Sequence, residues 1–190
     1  MAVSAGKVVK MIINFGCVTL RAIEERDFDI LFKMINSPEI ERALGSFSLP
    51  VNGTQQREWI KNYANSEKQI RWMMELSNGA VIGVIMLYDI DMKNGTAEVG
   101  YKTLADKDVR IKGDIDDAMQ GVLDYAFNEL RLNCVVAHTL TDNERSKRFL
   151  VRNGFVTEGV LRQRIYQSGA YADMEVLSIL RSEYKKESES

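Results

Sequence analysis

The stretch with the most chemistry in it runs from Val109 to Ala118. It sets Arg110, Lys112 and Gly113 directly ahead of Asp114, Asp116 and Asp117. It lies between a strand-like run ending near Leu104 and the most regular helical run of the chain, which continues to about Leu130. A basic, glycine-containing turn that opens a helix lets backbone N–H groups converge on an anion, so these residues point to a phosphate-bearing cofactor. The aspartates pull the other way. They suit a helix N-terminus, yet one carboxylate a few ångströms from a phosphate costs up to a few kcal/mol at an effective dielectric constant of about 20.

Everything else must position that turn. A chain of 190 residues fits one domain with a sizeable core, and 45% hydrophobic with 27% charged residues is ordinary globular composition. No apolar run approaches the roughly 18 residues of a membrane span, and no signal-peptide pattern is present, so a cytoplasmic location without membrane attachment is expected. Cys17 and Cys134 fall in apolar, strand-like contexts without metal-ligand spacing. They read as buried free thiols, and no metal site is expected. A net charge of −2 and a pI near 5.6 argue against nucleic acid as the main partner.

Residues 1–10 read as an extension left from expression or an alternative start, and 185–190 as a charged, disordered tail. Alternation from Cys17 to Ile23 predicts a first strand. Phe28, Leu31, Phe32 and Ile35 define one apolar helical face, which Ser37-Pro38 ends. Gly45–Gly53 reads as a loop, and Thr54 as the cap of a helix through Tyr63. Three strand-like runs follow, Ile70–Leu76, Ala80–Asp89 and Thr96–Thr103. Asn78-Gly79 and Asn94-Gly95 separate them as hairpin turns. After the helix Asp114–Leu130 come a strand Cys134–Leu140, a short helix capped by Asp142 or Asn143, and strands Val156–Tyr166 and Tyr171–Leu180. The order implies a single α/β domain with a mixed central sheet of about seven strands flanked by helices.

Four local patterns resemble the GNAT acetyltransferase family, in its RimJ/RimL-like branch. Ala97-Glu98-Val99-Gly100-Tyr101 is similar to its fourth-strand A-E-I-G-Y. Arg110-Ile111-Lys112-Gly113 resembles the start of its Q/R-x-x-G-x-G/A loop. Asn143-Glu144-Arg145-Ser146 with Asn153-Gly154-Phe155 resembles its N-x-x-S and x-G-F elements. Glu158 to Arg162 and Gly169 to Asp173 resemble its E-G-x-L-R and G-x-Y-x-D ending. The resemblance covers about residues 17 to 183 of a domain placed at 11–184.

The resemblance implies a sheet splayed at the fourth and fifth strands, with acetyl-CoA as co-substrate in the cleft. Val99, Gly100 and Tyr101 would offer strand amides to the pantetheine. Arg110, Ile111, Lys112, Gly113, Asp114 and Ile115 would wrap the diphosphate, and Asn143 would bind the cofactor, cap its helix, or do both. Glu98 is the candidate general base, and Ser146 the candidate proton donor to the departing thiolate. The tyrosine that some members place four residues before the glycine of x-G-F is Leu150 here. His138, the only histidine, is either structural or an acid–base group. Arg162, Arg164, Tyr166 and Tyr171 either line an acceptor site or form a solvated hairpin. The implied reaction is direct attack of a primary amine on the thioester. The acceptor would be a small-molecule or peptide amine: a protein N-terminus, a polyamine or an amino-sugar. The chain would be monomeric or a homodimer. The loop departs from the family at Ile111, Asp114, Ile115 and Asp116. The alternative is therefore a catalytically degenerate GNAT-fold binding or regulatory protein with weakened CoA binding.

Overall fold

The computed structural model describes residues 12–44, 49–62, 66–104, 113–167 and 169–184. Among these, the strands form one eight-stranded sheet in the order β1-β2-β3-β4-β5-β6-β8-β7. They are β1 (Ile13–Phe15), β2 (Val18–Arg21), β3 (Ile70–Leu76), β4 (Val81–Asp91), β5 (Thr96–Thr103), β6 (Cys134–Leu140), β7 (Val156–Gln167) and β8 (Ala170–Leu180). The extra strand relative to the sequence reading is β1. It is three residues long, too short to show alternation, and is held by pairing with β2. All neighbours are antiparallel except β5 and β6.

Helices α1 (Phe28–Ile35), α2 (Pro38–Leu44) and α3 (Gly53–Asn62) cover one face of the sheet. Pro38 does not only end α1 but opens α2, a position where its missing N–H costs nothing. The cap of α3 is Asn52 rather than Thr54. Asn52 Oδ1 accepts the Gln55 N–H at 3.0 Å, and Gln55 Oε1 accepts the Asn52 N–H at 3.0 Å. Leu31, Met34 and Ile60 from these helices bury Met73 and Val84 of the sheet.

Helices α4 (Asp114–Asp124) and α5 (Glu144–Arg152) lie on the opposite face. The helical run expected to reach Leu130 leaves the α-helix at Tyr125 and finishes as a π-helical turn, Tyr125–Glu129. Ala118, Met119, Val122 and Leu123 of α4 are fully buried against Leu20, Met74, Ile85 and Leu87. Burial of each of the larger side chains, Met119, Val122 and Leu123, is worth roughly 1.5–3 kcal/mol, so this layer fixes α4 against the sheet. The cysteines are half-buried rather than buried, and Cys17 sits in the turn before β2, not in a strand.

Candidate active site at the split in the sheet

Strands β5 and β6 pair in parallel only at Thr96–Cys134, Ala97–Val135 and Glu98–Val136. Beyond Glu98 they part. β5 continues along β4 through Thr103, and β6 continues along β8 through Leu140. Val99 to Thr103 therefore present an opened strand edge to a cavity of about 1530 Å³, with His138, Thr139 and Leu140 across the gap. The split also joins the two faces of the sheet, and successive β5 residues alternate between them.

On the face covered by α1 to α3 stands Glu98. Its Oε1 accepts a short hydrogen bond from the Tyr88 hydroxyl and lies 2.7 Å from His138 Nδ1. Tyr88 is directly opposite Glu98 in the β4–β5 ladder, and His138 is two residues beyond Val136, Glu98's partner in β6. All three therefore share one face. Burial, and then the Glu98 carboxylate beside it, hold the Tyr88 phenol well above its ordinary range, so it stays a donor. A carboxylate acceptor assigns the proton to Nδ1 of His138. Both contacts fall on Oε1.

A bulge makes this arrangement. Continuing the Asp91–Thr96 register along β4 would set Asp89 opposite Glu98, two carboxylates face to face. The irregularity between Tyr88 and Asp91, with Asp89 at φ 50°, slips the ladder by one residue and puts a phenol there instead. Asn94-Gly95 made the hairpin predictable, but not its bulge. No residue signal in that run pairs Tyr88 with Glu98, and none links His138 to it.

On the face covered by α4 and α5, the Tyr101 hydroxyl lies 3.1 Å from Ser146 Oγ. The Tyr101 ring packs on Phe149 at 4.9 Å between centroids. Burial raises the Tyr101 phenol, which keeps it protonated. Ser146 is placed by its own helix start, where Asn143 Oδ1 accepts the Ser146 N–H at 3.1 Å. Asn143, not Asp142, is the cap of α5. The sequence pattern marks Tyr101 for its backbone amides, and the structure adds its side chain, which meets Ser146 and Phe149.

At the start of α4 each aspartate has a partner within the protein, and all three line the cavity. Asp116 faces α5, where both its oxygens take Arg152 N–H groups at 2.8 Å and Oδ1 also accepts from Asn153 Nδ2 at 2.8 Å. Asp117 turns to the β1–β2 turn and accepts the Cys17 N–H at 2.8 Å. Asp114 is 1% exposed, and its Oδ1 takes the Ile115 N–H at 2.7 Å. The Ile115 amide is thus already engaged by a neighbouring side chain, while its own side chain joins the core. Gly113 caps the helix in the left-handed region at φ 93°, with open space where a Cβ would stand. Arg110, Ile111 and Lys112 lie outside the described residues.

A mixed sheet split between parallel strands, with a carboxylate–imidazole pair on one face and a hydroxyl pair on the other, has the layout of a group-transfer enzyme. The chain belongs to the acetyltransferase (GNAT) domain family, the acetyl-CoA-dependent acyltransferases, with the match spanning residues 18–156. It is 31% identical over 166 residues to the uncharacterized N-acetyltransferase YoaA of Bacillus subtilis (strain 168), covering 85% of this chain and 92% of that protein. It is 26% identical over 173 residues to the spermidine N(1)-acetyltransferase of Vibrio cholerae, covering 90% and 98%. Among solved structures, a probable acetyltransferase superposes with a TM-score of 0.77 at 28% identity, covering 92% of this chain and 99% of that one. The Vibrio cholerae spermidine N-acetyltransferase in complex with CoA and spermine superposes with a TM-score of 0.78 at 24% identity, covering 88% and 97%; this likeness is one of fold.

Proposed function

We propose that the chain transfers the acetyl group of acetyl-CoA to a primary amine by direct attack, with Glu98 as general base. The observation that carries this reading is the Tyr88–Glu98–His138 constellation at the mouth of the split. Two groups fix one oxygen of the carboxylate, so the other is held without reorganisation for an incoming ammonium. The opened edge from Val99 to Tyr101 supplies backbone groups for an extended pantetheine chain. Gly113 at the start of α4 supports a diphosphate nearby.

The two faces divide the proton work. On the Glu98 face, the ammonium gives one proton to Oε2 and becomes nucleophilic. Oε2 passes that proton to solvent, the amine nitrogen bonds to the thioester carbon, and the adduct gives its second proton to Oε2 as the carbon–sulfur bond breaks. The thiolate then takes a proton from the Tyr101–Ser146 hydroxyl pair on the other face, and solvent restores that proton. The pair stands in for the tyrosine that Leu150 replaces.

The test is Glu98→Gln, which keeps shape and hydrogen bonding but removes the base. It should lower kcat by about 100-fold or more, the ordinary worth of a positioned base, while affinity for acetyl-CoA is kept by calorimetry. Unchanged turnover removes Glu98 from the mechanism.

A further inference from the structure

Beside the Glu98 carboxylate the cavity has an apolar wall. His138 of β6 shares the face of Glu98, and so does Leu140, two residues further on. Leu140 pairs with Met174 of β8, and Met174 with Leu161 of β7, so these side chains form one cross-strand row. The next row on the same face is Ala172 and Ile165. Leu140, Leu161, Ile165 and Met174 all line the cavity, and Leu161 stays 38% exposed. Rows on one face of a strand are about 7 Å apart, so the wall begins one row beyond His138 and runs on to the next.

The β7–β8 hairpin is shaped to extend that wall. Between Leu161 and Ile165 the ladder slips by two residues, from Leu161 opposite Met174 to Ile165 opposite Ala172. Without the slip Ile165 would stand two rows from Leu161, and with it the distance is one row. The bulge is fixed where Gln163, at φ 50°, donates its N–H to Asp173 Oδ1 at 2.7 Å. Helix α2 closes over the wall. Its Ile40 lines the same cavity, and the Gln167 side-chain amide at the end of β7 donates to the Arg42 carbonyl at 2.8 Å. Among the described residues lining the cavity, the other carboxylates stand elsewhere. Asp114, Asp116 and Asp117 belong to the helix on the opposite face. Glu183 accepts the Leu180 N–H, and Leu180 pairs with Cys134 at the closed end of the split.

We infer that the acceptor is a primary amine carrying an apolar substituent, seated with its nitrogen at Glu98 and its hydrocarbon along Leu140, Met174, Leu161 and Ile165. This rests on the acyltransfer reading above and names its substrate class. Small-molecule sites are mostly apolar, with a few placed polar groups that fix orientation, and here Glu98 and His138 are those groups. A hydrocarbon chain gains by leaving water against the wall. The same wall disfavours a polyamine, whose second ammonium would lose its water among aliphatic side chains.

The test is acetyl transfer, followed by thiol release, to propyl-, butyl-, pentyl- and hexylamine, to a hexylamine analogue with an ether oxygen for one methylene, and to spermidine. Across the alkylamines kcat/KM should rise about threefold to fourfold per methylene, the worth of burying one CH2, and KM should carry the rise. The ether analogue and spermidine should fall about tenfold or more below hexylamine. Leu161→Asn and Met174→Gln should each flatten the rise, with affinity for CoA changed by less than about twofold in calorimetry. Peptide amides opening with methionine or with serine separate the sources: turnover confined to the methionine peptide sustains the inference with a protein N-terminus as the apolar amine. A flat alkylamine series without a methionine preference, preference for spermidine or the serine peptide, or a Leu161→Asn loss equal at every chain length overturns it. If no acceptor turns over, calorimetry of the alkylamines on CoA-saturated protein decides. Affinity that rises with chain length sustains the inference while the acyltransfer reading fails; no binding, or affinity independent of length, overturns the inference.

Discussion

The two helices that flank the split begin in opposite ways. Helix α5 is started by its own sequence: Asn143 caps the amide of Ser146 three residues on, and that local bond sets the Ser146 hydroxyl beside Tyr101. Helix α4 is started by distant parts of the chain. Asp117 reaches an amide 100 residues away, and Asp116 an arginine 36 residues away. The difference decides how an acidic helix start is to be understood. Carboxylates at α5 would be caps and nothing more. At α4 the same residue type serves as mortar between α4, α5 and the β1–β2 turn, while all three carboxylates also line the cavity.

Breaking the long-range start should cost more than breaking the local one. A Cβ at Gly16 would stand 2.1 Å from Asp117 Oδ2, and Gly16 has φ 52°, so Gly16→Ala meets both a steric and a backbone penalty. It should destabilise the fold by about 2–4 kcal/mol in denaturant titration. Asp117→Ala, which removes a charged acceptor from the Cys17 amide, should cost about 1.5–3 kcal/mol. The double variant should cost clearly less than the sum, since both act on one contact; full additivity would show that Asp117 is held by something else.

Asn143→Ala comes next, at about 1 kcal/mol for a lost cap. Ser146 should lose its position, so kcat should fall while thermal unfolding moves little. A stability loss with kcat intact would leave Asn143 a cap only.

The smallest effect is chemical. The Cys17 thiol is pushed up to about 11, first by burial and then by the Asp117 carboxylate beside it. The thiolate is the reactive form, so alkylation of Cys17 by iodoacetamide should be slow at pH 8 and rise tenfold per pH unit until about 11. Asp117→Ala removes two of the causes that raise the pKa, so Cys17 should react faster at pH 8, read by peptide mass mapping. An unchanged rate would mean that burial alone sets it.

The sheet was legible because its signals are local. Alternation, Asn-Gly turns and the buried face of α4 are each written within a few residues, and the family motifs marked Glu98 and Ser146. Three things were not legible. The β4 bulge that trades Asp89 for Tyr88 opposite Glu98 has no residue signature in that run. His138 meets Glu98 through a parallel pairing 40 residues apart in sequence. The partners of Asp116 and Asp117 depend on how α4 docks, which no periodicity encodes. A sequence shows the charge of these aspartates but not the partners it takes.

Titration of the purified protein with acetyl-CoA and CoA by calorimetry tests the central claim most directly, with Asp116→Asn run alongside. If the acidic start of α4 is spent on internal contacts and the split is a cofactor cleft, binding should be micromolar, and Asp116→Asn should change it by less than about threefold. No heat and no thermal shift at millimolar cofactor, or binding that appears only when the Asp116 charge is removed, would contradict it.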